Sequence, residues 1–175
     1  FDETAVNFLE KLKCPLYKVA SFENNHVPLI EKLISLKKPI IISTGLTRLN
    51  DIKFIIQNFK KKKFKNFVLL KCTSSYPAPE EDTNLKCIED LRKRFKINVG
   101  LSDHTEGIGV AIASVMFGSV LIEKHFTLDK KDGGLDDSFS INPKELKELV
   151  VETKRAWKSK GKVYYGISKS ERASI

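Results

Sequence analysis

The sequence predicts an α/β chain: about five βα units from the C-terminal part of a TIM (β/α)8 barrel, cut from a longer protein. Short apolar, β-branched runs alternate with segments of helical periodicity, and the runs begin roughly 20–30 residues apart, the period of a βα unit with a parallel sheet. The runs are almost continuously apolar, as expected when both faces of a sheet are covered. Each run also ends in polar residues. Parallel strands share one direction, so those ends collect on one rim, where barrel enzymes place their chemistry. A doubly wound sheet would accommodate the same alternation, but no Gly-x-Gly-x-x-Gly fingerprint is present. Five strands cannot close such a barrel, so three are expected from residues before Phe1.

The opening stretch FDETAVNFLEKL reads as an amphipathic helix without an initiator Met. Candidate strands follow at Tyr17–Ser21, Pro39–Thr44, Phe67–Thr73, Asn98–Asp103 and Ser119–Phe126. Helices are expected near Val27–Leu36, Leu49–Phe59, Leu85–Phe95 and Ile108–Phe117. A last helix starts at NPKE, where Asn142 can cap, Pro143 suits the first helical position and Glu145 favours the first turn. Residues 1–160 form the partial barrel in this reading. Residues 161–175, GKVYYGISKSERASI, lose periodicity and read as an exit from the domain.

Composition narrows the function. The 175 residues are 41% hydrophobic, enough for a folded core, and carry 31 Lys and Arg against 22 Asp and Glu, a net charge of +9. Such a balance raises nucleic acid or an anionic substrate. Many of the lysines, however, fall in the run Lys60–Lys63 and at helix-face spacings, and no aromatic-plus-basic binding motif accompanies the charge, so a solvated surface is expected and no nucleic acid. Cys14, Cys72 and Cys87 have neither metal-ligand spacing nor an even count, and reduced thiols in a cytoplasm are the plain reading. No apolar stretch of about 18 residues suggests a membrane span.

The polar strand ends carry the candidate chemistry. Side chains alternate along a strand, so Ser102 and His104 share a face, as do Glu123 and His125. If both faces point to the barrel axis, two imidazoles converge and could hold a divalent cation. Two buried histidines satisfied by backbone or carboxylates are the competing account. Lys18, inside the run LYKVAS, either reaches an anion at the rim or snorkels outward. With it, the hydroxyls of Ser21, Ser43 and Ser102 suit a phosphate. Lys18 and Ser21 cannot both point inward on one regular strand, so Ser21 is placed just past its end. In CTSSYPAPEED, Pro77 and Pro79 enforce a loop whose Ser74 and Tyr76 could face a ligand, and a rigid connection without a ligand role is the alternative. In DKKDGGLDDSFS, Asp136 is a plausible substrate contact on a rim loop; a plain surface loop is the alternative.

The motifs YKVASFENNHVPLI, KPIIISTG, LLKCTSSYPAPEEDTNL, VGLSDHTEGIGVAIASVMFGSVLIEKHFTLDKKDGGLDDSFSINP and GKVYYG resemble the sialic acid synthase family, most closely its pseudaminic acid synthase branch. The resemblance implies a (β/α)8 barrel followed by a small antifreeze-like domain that reaches over a partner subunit's barrel mouth, in a domain-swapped homodimer. It implies condensation of phosphoenolpyruvate with an amino-sugar aldehyde, here 2,4-diacetamido-2,4,6-trideoxy-L-altrose, and water, to give pseudaminic acid and phosphate. Carried over by position, His104 and His125 hold a divalent cation (Mn2+ or Mg2+, with Co2+ as a further candidate). Lys18, Ser21, Ser43 and Ser102 bind phosphoenolpyruvate, while Ser74, Tyr76, Glu123 and Asp136 contact the sugar or intermediate, with Glu123 and the two histidines counted as catalytic. The family's Gly-Pro-Asp reads Gly134-Leu135-Asp136 here, which bears on the stiffness of that loop. This segment alone is expected to be inactive and poorly soluble, because an open barrel exposes strand edges. Rival readings are an N-acetylneuraminate or legionaminate synthase, a metal-dependent barrel hydrolase, and a basic binding module built on Lys60–Lys63.

Overall fold

The computed structural model describes residues 2–175. Five strands, β1 (Tyr17–Val19), β2 (Ile40–Ser43), β3 (Phe67–Cys72), β4 (Val99–Asp103) and β5 (Ile122–Lys124), form one all-parallel sheet in the order β1-β2-β3-β4-β5. Helices α1 (Glu3–Lys11), α2 (Val27–Ser35), α3 (Leu49–Lys61), α4 (Lys86–Phe95), α5 (Gly109–Ser114) and α6 (Pro143–Ser159) alternate with the strands. The caps are local. Asp2 accepts from the Ala5 N–H at the start of α1. At α6, Asn142 accepts from Lys144 and Glu145, and Glu145 accepts from the Asn142 N–H, the reciprocal box that NPKE announces.

The register assigns the two faces. Tyr17, Val19, Ile40, Ile42, Leu69, Val99 and Leu101 point to the helices and pack with Leu29, Ile30, Leu33, Ile52, Ile55, Ile56, Phe59, Ile88 and Leu91 in the main core. Phe59 of α3 stacks on Phe67 at the base of β3, ring centroids 4.2 Å apart. Lys18, Ile41, Ser43, Val68, Leu70, Cys72, Gly100, Ser102 and Glu123 alternate onto the other face.

That second face is concave. Lys18 and Glu123 sit four strands apart, about 19 Å across a flat sheet at about 4.8 Å per strand, farther than their two extended side chains reach. Lys18 Nζ nevertheless lies 3.3 Å from Glu123 Oε1. The sheet is a curled half-barrel. Among the described residues it does not close, and β1 and β5 are its outermost strands.

Strand β1 ends at Val19 rather than Ser21, and two further elements are shorter still than the sequence suggests. The predicted Ser119–Phe126 strand keeps regular form only over Ile122–Lys124, although Val120 N–H still donates to Val99 O and Leu101 N–H to Leu121 O. At His125 the pairing changes partner: Ile141 N–H donates to His125 O and Thr127 N–H to Ile141 O, so the returning rim loop takes over the edge. Helix α5 stops at Ser114, where the following turn tightens to i→i+3 bonds and the Ser114 hydroxyl donates to the Ala111 carbonyl. Residues 161–175 are almost wholly exposed and contain one 3-10 turn, Glu171–Ser174.

Candidate active site

The strand ends meet on the concave face, and each predicted residue can be placed. Lys18, at the middle of β1, points into the trough and pairs with Glu123 of β5, which also accepts a 2.8 Å hydrogen bond from the Ser102 hydroxyl. Of the two alternatives for Lys18, inward reach is the one realised. Ser43, the last residue of β2, is 2% exposed and its hydroxyl has no hydrogen-bond partner. A buried hydroxyl that bonds to nothing is costly and is normally paired. Ser21 lies beyond β1 in a 3-10 turn, Ser21–Glu23, which resolves the parity conflict with Lys18.

Ser21, Gly45, Cys72 and Ser74 form one tight knot. Gly45 N–H donates to Ser21 Oγ at 2.9 Å, and Cys72 Sγ lies 3.5 Å from Ser21 Oγ and 3.7 Å from Ser74 Oγ. A Cβ at Gly45 would collide with both serine hydroxyls, so the Ser-Thr-Gly stretch needs glycine for close approach. Burial pushes the Cys72 thiol up, but hydrogen bonds from His104, Ser21 and Ser74 outweigh it and bring the thiol to about 7.

The two imidazoles converge. Their ring centroids are 5.2 Å apart. His104 is buried, and its Nδ1 lies 2.8 Å from the Thr73 carbonyl, which can only accept, so Nδ1 carries the proton and Nε2 keeps its lone pair. Burial disfavours charge on His104, but the Cys72 thiol and the Thr73 carbonyl together hold its pKa above the ordinary histidine value. His125 is shifted the other way, by burial first and by its neighbour His104 second. Its Nδ1 is 3.4 Å from Asp136 Oδ2, so the rim loop does bring Asp136 to the site. Tyr76 packs on the His104 ring at 4.4 Å, and Phe139 on His125 at 5.1 Å, giving the pair an aromatic wall.

This donor set fits a hard or borderline divalent cation held by two imidazoles, with Nε2 of His104 free to ligate. Among the described residues no group of three or more His, Cys, Asp or Glu side chains is arranged around a metal position, so the remaining ligands would be oxygens of water or substrate.

Several contributors have no distinct sequence signal. Thr73 acts through its backbone carbonyl. Asn24 is buried and donates to Ser43 O and Thr47 Oγ1, tying the β1 turn to the end of β2. Glu23 has a buried carboxylate oxygen with no partner. Phe139 lies outside every strand and helix. Only the SFENN stretch, with two amides and a carboxylate directly after a strand, hints at Glu23 and Asn24.

A curled, all-parallel βα sheet with a polar trough at its strand ends has the architecture of part of a (β/α)8 barrel. More specifically, residues 1–165 match the model of the NeuB family, and the chain belongs to that family. It is 40% identical over 177 residues to the N,N'-diacetyllegionaminic acid synthase of Campylobacter jejuni, covering 100% of this chain and 53% of that protein. It is also 40% identical over 156 residues to the pseudaminic acid synthase of the same species, covering 89% and 46%. The crystal structure of the N-acetylneuraminic acid synthetase from Leptospira borgpetersenii, determined with citrate, superposes with a TM-score of 0.92 at 36% identity, over 99% of this chain and 61% of that one. The chain thus spans about half the length of the curated relatives it matches.

Proposed function

We propose that this chain carries the phosphoenolpyruvate and cation half of a nonulosonic acid synthase site, in a transferase that joins phosphoenolpyruvate to an amino-sugar aldehyde. The observation that carries the reading is Ser43: a buried hydroxyl without a partner, on the same concave face as Lys18, Ser102 and two converging imidazoles. An anion seated there would satisfy it.

Lys18 and the hydroxyls of Ser21, Ser43 and Ser102 neutralise and orient the phosphate and carboxylate of phosphoenolpyruvate, charges that persist throughout the reaction. His104 and His125 would hold the cation, Mn2+ or Mg2+ with Co2+ as a further candidate, and its chemistry when bound is to polarise the aldehyde oxygen. Carbon 3 of phosphoenolpyruvate adds to the aldehyde carbon, and positive charge develops at carbon 2, where water adds. Glu123, fixed by Lys18 and Ser102, is placed to stabilise that centre and take the proton from the water. The adduct then expels phosphate by C–O cleavage. Ser74, Tyr76 and Asp136 line the side from which the sugar approaches.

For the acceptor we favour the pseudaminic acid precursor, 2,4-diacetamido-2,4,6-trideoxy-L-altrose, on the SFE and KCTSSYPAP motifs. The legionaminic acid precursor is the second reading, because the legionaminic acid synthase match has the same identity over the whole chain. Exposed apolar side chains on the rim loops, Leu46 at 76% and Leu135 at 101%, support a covering domain contributed by a second subunit in the full-length protein. The test is an assay of the full-length protein with phosphoenolpyruvate and each amino sugar. Phosphate release with the altrose derivative is expected. Release only with the legionaminic or neuraminic precursor would transfer the acceptor assignment, and phosphate release from neither would refute the synthase reading.

A further inference from the structure

The residues that precede the two histidines point the opposite way, and they find each other. Asp103 and Lys124 are register partners on β4 and β5, one step before His104 and His125, and they face the helices. Lys124 Nζ is 3.0 Å from Asp103 Oδ2 and 2.6 Å from the Thr105 carbonyl, while Asp103 Oδ1 accepts from both the N–H and the hydroxyl of Thr105. The side chains of Lys124 and Asp103 are 3% and 0% exposed, and Thr105 is fully buried.

We propose that Asp103, Lys124 and Thr105 form a clasp behind the site, whose role is to fix the spacing and orientation of His104 and His125 for a shared divalent cation; this rests on the cation reading given above. His104 is gripped on both sides, since Asp103 and Thr105 are its chain neighbours. The same ammonium that binds them stands one residue before His125. Strand alternation then turns each fixed Cα toward the trough. A hydrophobic pair would join β4 and β5 equally well, because a buried ion pair is not a preferred source of stability. What the ion pair adds is direction: two hydrogen bonds from Lys124 cross to the β4 end and define a single register, where apolar packing tolerates shifts. A slip of one residue would send an imidazole to the outer face. The clasp residues are positioning residues and touch no reacting atom.

The test is Mn2+ affinity of the full-length protein, titrated by electron paramagnetic resonance, with melting temperature measured in parallel. D103N/K124M removes both charges and keeps the Asn oxygen for Thr105. It is expected to stay folded and to bind Mn2+ at least about tenfold more weakly, taking the lower end of the loss seen when groups that orient metal ligands are removed. Lys124→Arg, which keeps the positive charge opposite Asp103, is expected to stay nearer wild type than the double variant. D103N/K124Q, which retains hydrogen-bonding groups at both positions, is read in the same way if the first variant does not fold. Wild-type Mn2+ affinity in a folded double variant, with weakened binding in His125→Ala, would overturn the clasp alone. Unchanged affinity in both would overturn the cation reading and the clasp with it.

Discussion

The two faces of β4 and β5 hold equally polar residues in opposite conditions. Behind the sheet, Asp103, Lys124 and Thr105 satisfy one another and are sealed from solvent. In front, Ser102, Glu123, His104 and His125 face the trough, with the unpartnered Ser43 hydroxyl on the same face of β2. A closed hydrogen-bond network has little left to offer a ligand. A set with free lone pairs and an orphaned donor does, because its remaining valences are met only when something binds. Polarity alone therefore does not mark the site; unspent hydrogen-bonding capacity on the trough face does.

The comparison can be broken most forcefully at the histidines. In the full-length protein, His104→Ala should reduce cation-dependent turnover by more than the roughly 10–100-fold that an outer-shell change costs, as measured by phosphate release against added Mn2+. Near-wild-type turnover would return the histidines to a structural role. Next comes Glu123→Gln, which should lower kcat by on the order of 10²–10⁴ while KM for phosphoenolpyruvate moves little, the range for losing a positioned proton-transfer group. A rise in KM alone would make Glu123 a binding residue. Ser43→Ala should raise KM for phosphoenolpyruvate by roughly tenfold, since one hydrogen bond to an anion contributes about 1.5–3 kcal/mol. The same variant should leave the melting temperature unchanged or higher, because the hydroxyl has no partner to lose.

The smallest expected effect lies far from the trough. Glu10 accepts hydrogen bonds from Lys38 and Tyr17, which hold its carboxyl below the ordinary value of 4.5. A carboxyl depressed by folding contributes stability above its unfolded pKa and loses it as pH falls through the folded one. Glu10→Gln should therefore lower the melting temperature slightly at pH 7, where the wild-type carboxylate is paired, and converge on wild type as pH falls below 4.5, giving a shallower acid limb. An unaltered acid limb would show that Glu10 is not engaged in solution.

Much of this was legible from residue order. The strand runs at Ile40–Ser43 and Phe67–Cys72 and the cap at Asn142-Pro143 are local signals, written in β-branched content and capping chemistry. So was the pairing of faces, because parity along SDH and EKH fixes which side chains share a side. The extent of β5 was not legible. It depends on Ile141 returning to compete for His125 and Thr127, a contact made across the rim loop. The same limit applies to Thr73, whose contribution is a carbonyl that any residue would supply, and to Cys72, whose thiol matters only because Ser21, Ser74 and His104 fold around it. Lys124 reads in sequence as one more charged residue in an already charged motif, and only the register reveals Asp103 opposite it.

The central claim is that one cation sits between the two imidazoles beside an anchored enol phosphate. Anomalous diffraction from crystals of the full-length protein soaked with Mn2+ and phosphoenolpyruvate tests it directly. The account predicts a manganese peak between His104 Nε2 and the His125 ring, with the phosphate or carboxylate within hydrogen-bond reach of Ser43 and Lys18. Manganese bound elsewhere, or an anion that leaves Ser43 untouched, would contradict it.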